Sequence, residues 1–148
     1  MSGGLRRLIF KCGGTMVVLL GILHLAVTPI IARLIKDNVT NEAASWLTPP
    51  MLLNHILVGI LLIPLGILIY FAAPSALKGE RWAIVVTRVA AATIAVLPVL
   101  LFLLMGSRYF EAVPFVAATI IVCVAALMLL AAAYWPYRRG ETQSKRDE

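Results

Sequence analysis

The chain has 148 residues, of which 61% are hydrophobic and 14% are charged, and its mean hydropathy is +0.96. A typical soluble domain carries about 25% charged residues, so this composition excludes a soluble globular fold and indicates an integral membrane protein. A formal net charge of +6 can indicate a protein that binds nucleic acid. Because the basic residues cluster at the ends of apolar stretches, we expect a lipid bilayer instead, and no nucleic acid.

Four apolar stretches fill most of the chain. A hydrocarbon core of about 30 Å takes about 20 helical residues at a rise of about 1.5 Å each, and every stretch is long enough. We therefore predict an all-α integral membrane four-helix bundle, with one transmembrane domain over residues 1–136 and a charged cytoplasmic tail over residues 137–148. The predicted helices are residues 8–28, 52–74, 82–105 and 113–135.

The connection between the first two predicted helices is the longest. Pro29 is expected to end helix 1, and Pro49 and Pro50 to precede helix 2, because the residue before a proline disfavours the helical conformation. Between Ile30 and Asp37, apolar and charged residues alternate with helical spacing. This pattern predicts a short interfacial helix between helices 1 and 2, lying at the outer membrane surface.

The distribution of basic residues predicts the orientation of the helices. Ten of the thirteen lie at the start of helix 1, around the turn between helices 2 and 3, or after helix 4, and only Arg33, Lys36 and Arg108 fall at the other end. Loops on the cytoplasmic side are enriched in Lys and Arg. We therefore predict a multi-pass protein of a bacterial-type cytoplasmic (inner) membrane, with both termini cytoplasmic.

Both histidines of the chain fall inside predicted helices, about one turn from the outer ends. Since helices 1 and 2 run in opposite directions, we expect both imidazoles in the outer half of the bilayer. Each histidine shares a helical stripe with small residues, which mark close helix contacts in membranes. The stripes are Gly14, Gly21, His24 and Thr28 on helix 1, and His55, Gly59, Leu62 and Gly66 on helix 2.

Three interpretations of the histidine pair stay open. The imidazoles could hydrogen-bond neighbouring groups and hold the helices together, or they could be bis-histidine ligands of a b-type haem. They could also line an outward-facing pocket for an apolar small molecule, a quinone or a lipid. That last interpretation is the function we predict, without a catalytic residue or a bound metal, and its ligand-binding residues are His24, Thr28, Asn54, His55 and Gly59.

The alternative function is that of a structural accessory subunit, whose small-residue helix faces pack against a membrane protein partner or a second copy of the chain. Arg88 bears on this alternative, because it lies about 10 Å along helix 3 from Arg81. Its side chain either extends to the cytoplasmic interface or faces inward to bind an anionic group or a carboxylate of a partner. The predicted helices contain no Asp or Glu to pair with it.

The first half of the chain carries a recognisable arrangement of small, histidine and proline residues. It consists of the run Gly21-Ile22-Leu23-His24-Leu25, then Pro29, Pro49-Pro50 and a glycine-containing second helix. This arrangement resembles the broad DoxX-like group of small four-helix membrane proteins. The resemblance implies a role linked to quinone-dependent sulfur oxidation or to an oxidative-stress complex. An acidic residue often found early in the second helix of that group is replaced here by Asn54 and His55.

Overall fold

A computed structural model describes residues 3–38, 42–104, 110–111 and 113–135. The predicted tail over residues 137–148 and the predicted end of helix 3 at residue 105 lie outside the described residues. The four helices expected from the sequence are confirmed, and all four are long and apolar enough to span a membrane. They are α1 (Gly3–Asn38), α2 (Glu42–Leu77), α3 (Arg81–Leu104) and α4 (Val113–Tyr134).

The first two helices are longer than the sequence analysis predicts. α1 and α2 have 36 residues each, whereas α3 has 24 and α4 has 22. α1 continues through Pro29, and α2 continues through Pro49 and Pro50. Residues 30–37 therefore form the last part of α1 instead of the separate short helix that was predicted. A proline removes one backbone hydrogen bond from a helix, but the extended packing of α1 along α2 favours keeping both helices continuous.

The helices form a ring in chain order. α1 contacts α2 and α4, and α3 contacts the same two helices, with the most extensive contact between α1 and α2. Within the described residues, the diagonal pairs α1 with α3 and α2 with α4 make no contact. The shared core is built from buried side chains of all four helices, among them Phe10, Val17, Ile69, Ile94 and Leu129.

Alanines bring the remaining surfaces of the core together. Ala90, Ala91, Ala132 and Ala133 are buried where α3 and α4 meet the other helices. Small side chains allow close backbone approach, which favours helix association in an apolar solvent because dispersion then replaces the hydrophobic effect as the driving force. The alanine runs of helices 3 and 4 therefore serve packing.

A tight turn joins α2 to α3 at the end of the bundle where α1 begins. The amide of Glu80 donates to the carbonyl of Ser75 at 3.1 Å, and the amide of Gly79 donates to that of Ala76 at 3.1 Å. These two bonds define a Schellman motif, which needs a left-handed residue after the helix. Gly79 supplies it with φ of 84°.

Candidate functional site

Two facing pairs of glycines bring α1 and α2 into backbone contact. A Cβ atom added to Gly14 would lie 2.8 Å from the carbonyl oxygen of Gly66, and one added to Gly21 would lie 2.8 Å from that of Gly59. Real Cβ atoms essentially never come this close to another heavy atom, so only glycine fits at these positions. The predicted pairing of helices 1 and 2 through their small-residue stripes is confirmed.

The histidine rings meet one turn beyond the contact of Gly21 with Gly59. The centroids of the His24 and His55 rings are 4.5 Å apart, and the ring planes are inclined by 29°, so the imidazoles are stacked. The glycine contact explains this arrangement, because it fixes the two backbones at a separation where flat rings fit face to face between them. Both side chains are half-buried.

One polar atom of this pair has no partner. The Nε2 atom of His55 is buried and makes no hydrogen bond to any described residue. Most buried polar groups in proteins are hydrogen-bonded, and each exception asks for an explanation. This ring nitrogen is therefore the unsatisfied polar atom of the site, and it has almost no exposed surface.

The other predicted site residues lie near the pair but differ in what they offer a ligand. Asn54 precedes His55 and is exposed. Thr28 donates its hydroxyl to the carbonyl of His24 at 2.9 Å, so its proton is already used. Gly59 is buried against Gly21 and Leu25. It serves the helix contact and leaves no space there for an apolar ligand body.

The stacked geometry does not fit the haem interpretation. Bis-histidine ligation places the imidazoles on opposite faces of the macrocycle, with the iron between their nitrogens. Rings stacked face to face with centroids 4.5 Å apart leave no room for a macrocycle between them. In the part of the chain that the structure describes, no group of three or more His, Cys, Asp or Glu residues is placed to hold a metal ion.

Two shallow apolar grooves run along the helix seams. One, of about 150 Å³, lies between α1 and α4 and is lined by Met16, Leu19, Leu20, Leu23 and Ile121. The other, of about 180 Å³, lies between α1 and α2 and is lined by Thr15, Val18, Ile67, Tyr70 and Phe71. Neither groove includes His24 or His55, so a ligand of the histidine pair would have to approach an open seam.

At the opposite end of the bundle, two arginines bind the end of α4. The Nε–H of Arg6 donates to the carbonyl of Ala132 at 2.7 Å, and the Nε–H of Arg88 donates to that of Ala133 at 3.4 Å. The last carbonyls of a helix lack donors within the helix and carry partial negative charge, which cations stabilise. Arg88 thus contacts α4, a partner that the sequence analysis did not consider.

The contact of Arg6 with α4 was not predicted from the sequence, in which this residue indicates only the orientation of the helices. The side chain is 6% exposed, and its carbonyl partner lies 126 residues away in the sequence. No local pattern signals such a contact. An arginine near the start of an apolar helix is expected at a cytoplasmic end. That expectation already accounts for Arg6 in the sequence, so nothing there indicates its second role, the hydrogen bond to α4.

Arg6 and the histidine pair mark two polar levels on the bundle. His24 lies about 27 Å from Arg6 along α1, at about 1.5 Å per residue. α4 runs alongside from Ala132 back to Val113, about 28 Å by the same rise, so α4 begins at the level of the histidines. Beyond this level α1 and α2 continue without α4 beside them.

No family model, no curated protein and no solved structure matches the chain. The resemblance to the DoxX-like group stays a prediction.

Proposed function

We propose that the chain is a noncatalytic membrane protein that binds the polar head of a quinone or a lipid at the His24–His55 pair. The observation that carries this proposal is the buried Nε2 of His55, which has no partner among the described residues. An unsatisfied buried polar group costs about 1–3 kcal/mol. A quinone carbonyl would accept a hydrogen bond from this nitrogen, and a lipid hydroxyl or amine would donate one to it.

The spacing of the polar levels supports an interfacial position for this site. The distance of about 27 Å from Arg6 to His24 is close to the hydrocarbon thickness of about 30 Å. With the arginine end at the cytoplasmic surface, as the basic residues predict, both termini are cytoplasmic in a bacterial-type inner membrane. The histidines then lie at the outer surface, where the heads of lipids and quinones are found.

The uneven helix lengths leave the histidine pair open at its outer end. Because α4 begins at the level of the histidines, none of the four described helices covers the faces of α1 and α2 beyond this level. In the proposed complex the ligand head lies against His24, His55 and the exposed Asn54, and its apolar tail lies in the bilayer beside the bundle. Because Nε2 of His55 has almost no exposed surface in the unliganded chain, the two rings must shift for the ligand head to reach it.

The experiment is mass spectrometry of small molecules retained by gently solubilised, untagged protein, combined with thermal unfolding in the presence of added decylubiquinone or phosphatidylethanolamine. We expect the native chain to retain one of these classes and to be stabilised by it. His55→Phe keeps a stacking ring but lacks Nε2, so this variant should lose both effects. Thr93→Val is the matched control, because Thr93 is exposed on α3 and bonds only its own helix.

Equal retention and equal stabilisation in the native chain and His55→Phe would overturn the proposal. A native chain that retains neither class and gains no stability from either would overturn it as well. The Phe variant separates loss of ligand from loss of packing, since an aromatic ring still fills the space beside His24.

A second candidate function, the structural accessory subunit, is favoured by the extension of α1 and α2. At about 1.5 Å per residue, α1 continues for about 20 Å beyond the histidines. Apolar side chains are exposed on this part of both helices, including Ile30, Leu47, Met51 and Trp46, which is 81% exposed. Exposed apolar surface of this kind marks interaction sites, and a partner subunit or a second copy would cover it.

Site-specific photocrosslinking distinguishes this candidate. A benzophenone amino acid replaces Trp46 in one variant and Phe71, which is 73% exposed within the bundle part of α2, in the control. The accessory role predicts a discrete protein adduct from position 46 and lipid adducts from position 71. The absence of a discrete protein adduct from position 46 would contradict it.

A further inference from the structure

The two arginines at the end of α4 form a cationic site that helix capping uses only in part. The carbonyl of Ala131 accepts a bond from the amide of Trp135 at 3.2 Å, and the next two carbonyls, those of Ala132 and Ala133, accept from Arg6 and Arg88. Two guanidinium groups from different helices therefore lie over successive carbonyls of one helix end. Both positive charges therefore lie at the same helix end.

Arg88 is the accessible member of the pair. Its side chain is exposed, and its guanidinium carbon lies 5.4 Å from the centroid of the Tyr134 ring. The Nε–H makes the contact with Ala133. An arginine carries five N–H donors, and the four on the Nη atoms make no hydrogen bond to any described residue. These donors form the planar fork that binds two oxygens of a phosphate at once.

The end of the bundle that carries Arg88 is positively charged. Arg7, Lys11, Lys78 and Arg81 lie at the same end of the bundle. The one acidic side chain described there, Glu80, accepts a hydrogen bond from the indole of Trp82 at 2.8 Å. Each basic residue near a membrane surface attracts anionic lipids by about 1 kcal/mol. This end of the bundle therefore raises the local concentration of anionic headgroups.

We propose that Arg88, assisted by the charge of Arg6, binds the phosphate of an anionic phospholipid at the cytoplasmic end of the seam between α3 and α4. Arg88 lies about 10 Å along α3 from Arg81, and its side chain reaches the end of α4, where the headgroup region begins. The lipid phosphate supplies the oxygens that the Nη donors need, and the acyl chains continue along the apolar helices. This site is independent of the proposed ligand at the histidine pair.

Native mass spectrometry of the full chain, released from nanodiscs that contain phosphatidylglycerol and phosphatidylcholine, tests this proposal. We expect selective retention of phosphatidylglycerol by the native protein. One charge-assisted phosphate contact corresponds to about a tenfold change in affinity. Arg88→Gln should therefore lower phosphatidylglycerol retention about tenfold, and Arg88→Lys should lower it less, because it keeps the charge and loses the planar fork.

Arg81→Gln is the matched control, because it removes one exposed charge from the same helix and the same end of the bundle. A fall in retention as large for Arg81→Gln as for Arg88→Gln would show general charge attraction and overturn the proposal. Inorganic phosphate, added alone, should neither displace the lipid nor stabilise the native chain as the lipid does. If it has either effect, the site binds a free anion, and the lipid proposal is wrong. We expect all variants to retain phosphatidylcholine equally. If Arg88→Gln alone also lost phosphatidylcholine, its loss of phosphatidylglycerol would be due to misfolding, and the proposal would be overturned.

Discussion

The substitution Gly66→Ala tests the backbone contact that holds α1 against α2. A Cβ at this position would lie 2.5 Å from the carbonyl oxygen of Gly14 and 2.7 Å from the amide nitrogen of Val18. Ordinary contact begins at 3.4 Å, so the helices must separate by about 0.9 Å. The nearest atoms are mainly backbone, and they cannot rotate away as the end of a side chain can.

We expect Gly66→Ala to destabilise the protein. Overpacking of a filled contact costs about 1–3 kcal/mol, whereas alanine in place of glycine inside a helix gains at most about 1 kcal/mol. With a gain of about 0.5–1 kcal/mol from the alanine, the net loss is up to about 2.5 kcal/mol. Separation of the helices should also weaken the stacking of His24 on His55.

The assay is reversible unfolding in mixed detergent micelles, followed by circular dichroism. Gly4→Ala, with nothing within 4 Å, controls for helix propensity alone. The reasoning is refuted if Gly66→Ala is as stable as Gly4→Ala, since the close approach would then have no energetic consequence.

Two further substitutions test the turn between α2 and α3 and the arginine contact at the end of α4. Gly79→Ala should lower stability by about 1–2 kcal/mol through backbone strain alone, because φ is 84° and nothing lies within 4 Å of the added Cβ; an unchanged unfolding midpoint would argue against the left-handed turn. Arg6→Met should cost about 1–3 kcal/mol by leaving the carbonyl of Ala132 without its donor, and hydrogen exchange should increase in the last turn of α4. Arg7→Met, at an exposed neighbouring position, should leave both measurements unchanged, and equal effects of the two arginine variants would contradict the cap.

The architecture could be predicted because its signals are strong and local. Runs of about 20 apolar residues indicate spanning helices, and the glycines at positions 14, 21, 59 and 66 repeat at helical spacing on two neighbouring helices. Both signals led to features that the structure contains. The true lengths of α1 and α2 could not be predicted, because the local cost of a proline in a helix, about 3 kcal/mol, is visible in the sequence, whereas the packing against the partner helix is not.

The site was predictable only as a neighbourhood. Helical phase places His24 and His55 on facing stripes. It does not show that the two rings stack, or that α1 occupies the space beside Gly59. The arginine contacts depend on which helix ends lie side by side. Arg6 and Arg88 reach α4 from two different helices, and only the assembled ring of helices shows it.

The most direct test of the proposed ligand site uses the fact that the chain has only two histidines. Nuclear magnetic resonance of protein labelled with ¹⁵N and ¹³C in histidine alone, in nanodiscs, reports these two rings, and His55→Phe assigns them. We predict a contact between the rings and, on addition of decylubiquinone or phosphatidylethanolamine, a change in the Nε2 signal of His55. Two isolated rings, or an Nε2 signal that stays unchanged at saturating amounts of both ligands, would contradict the proposed site.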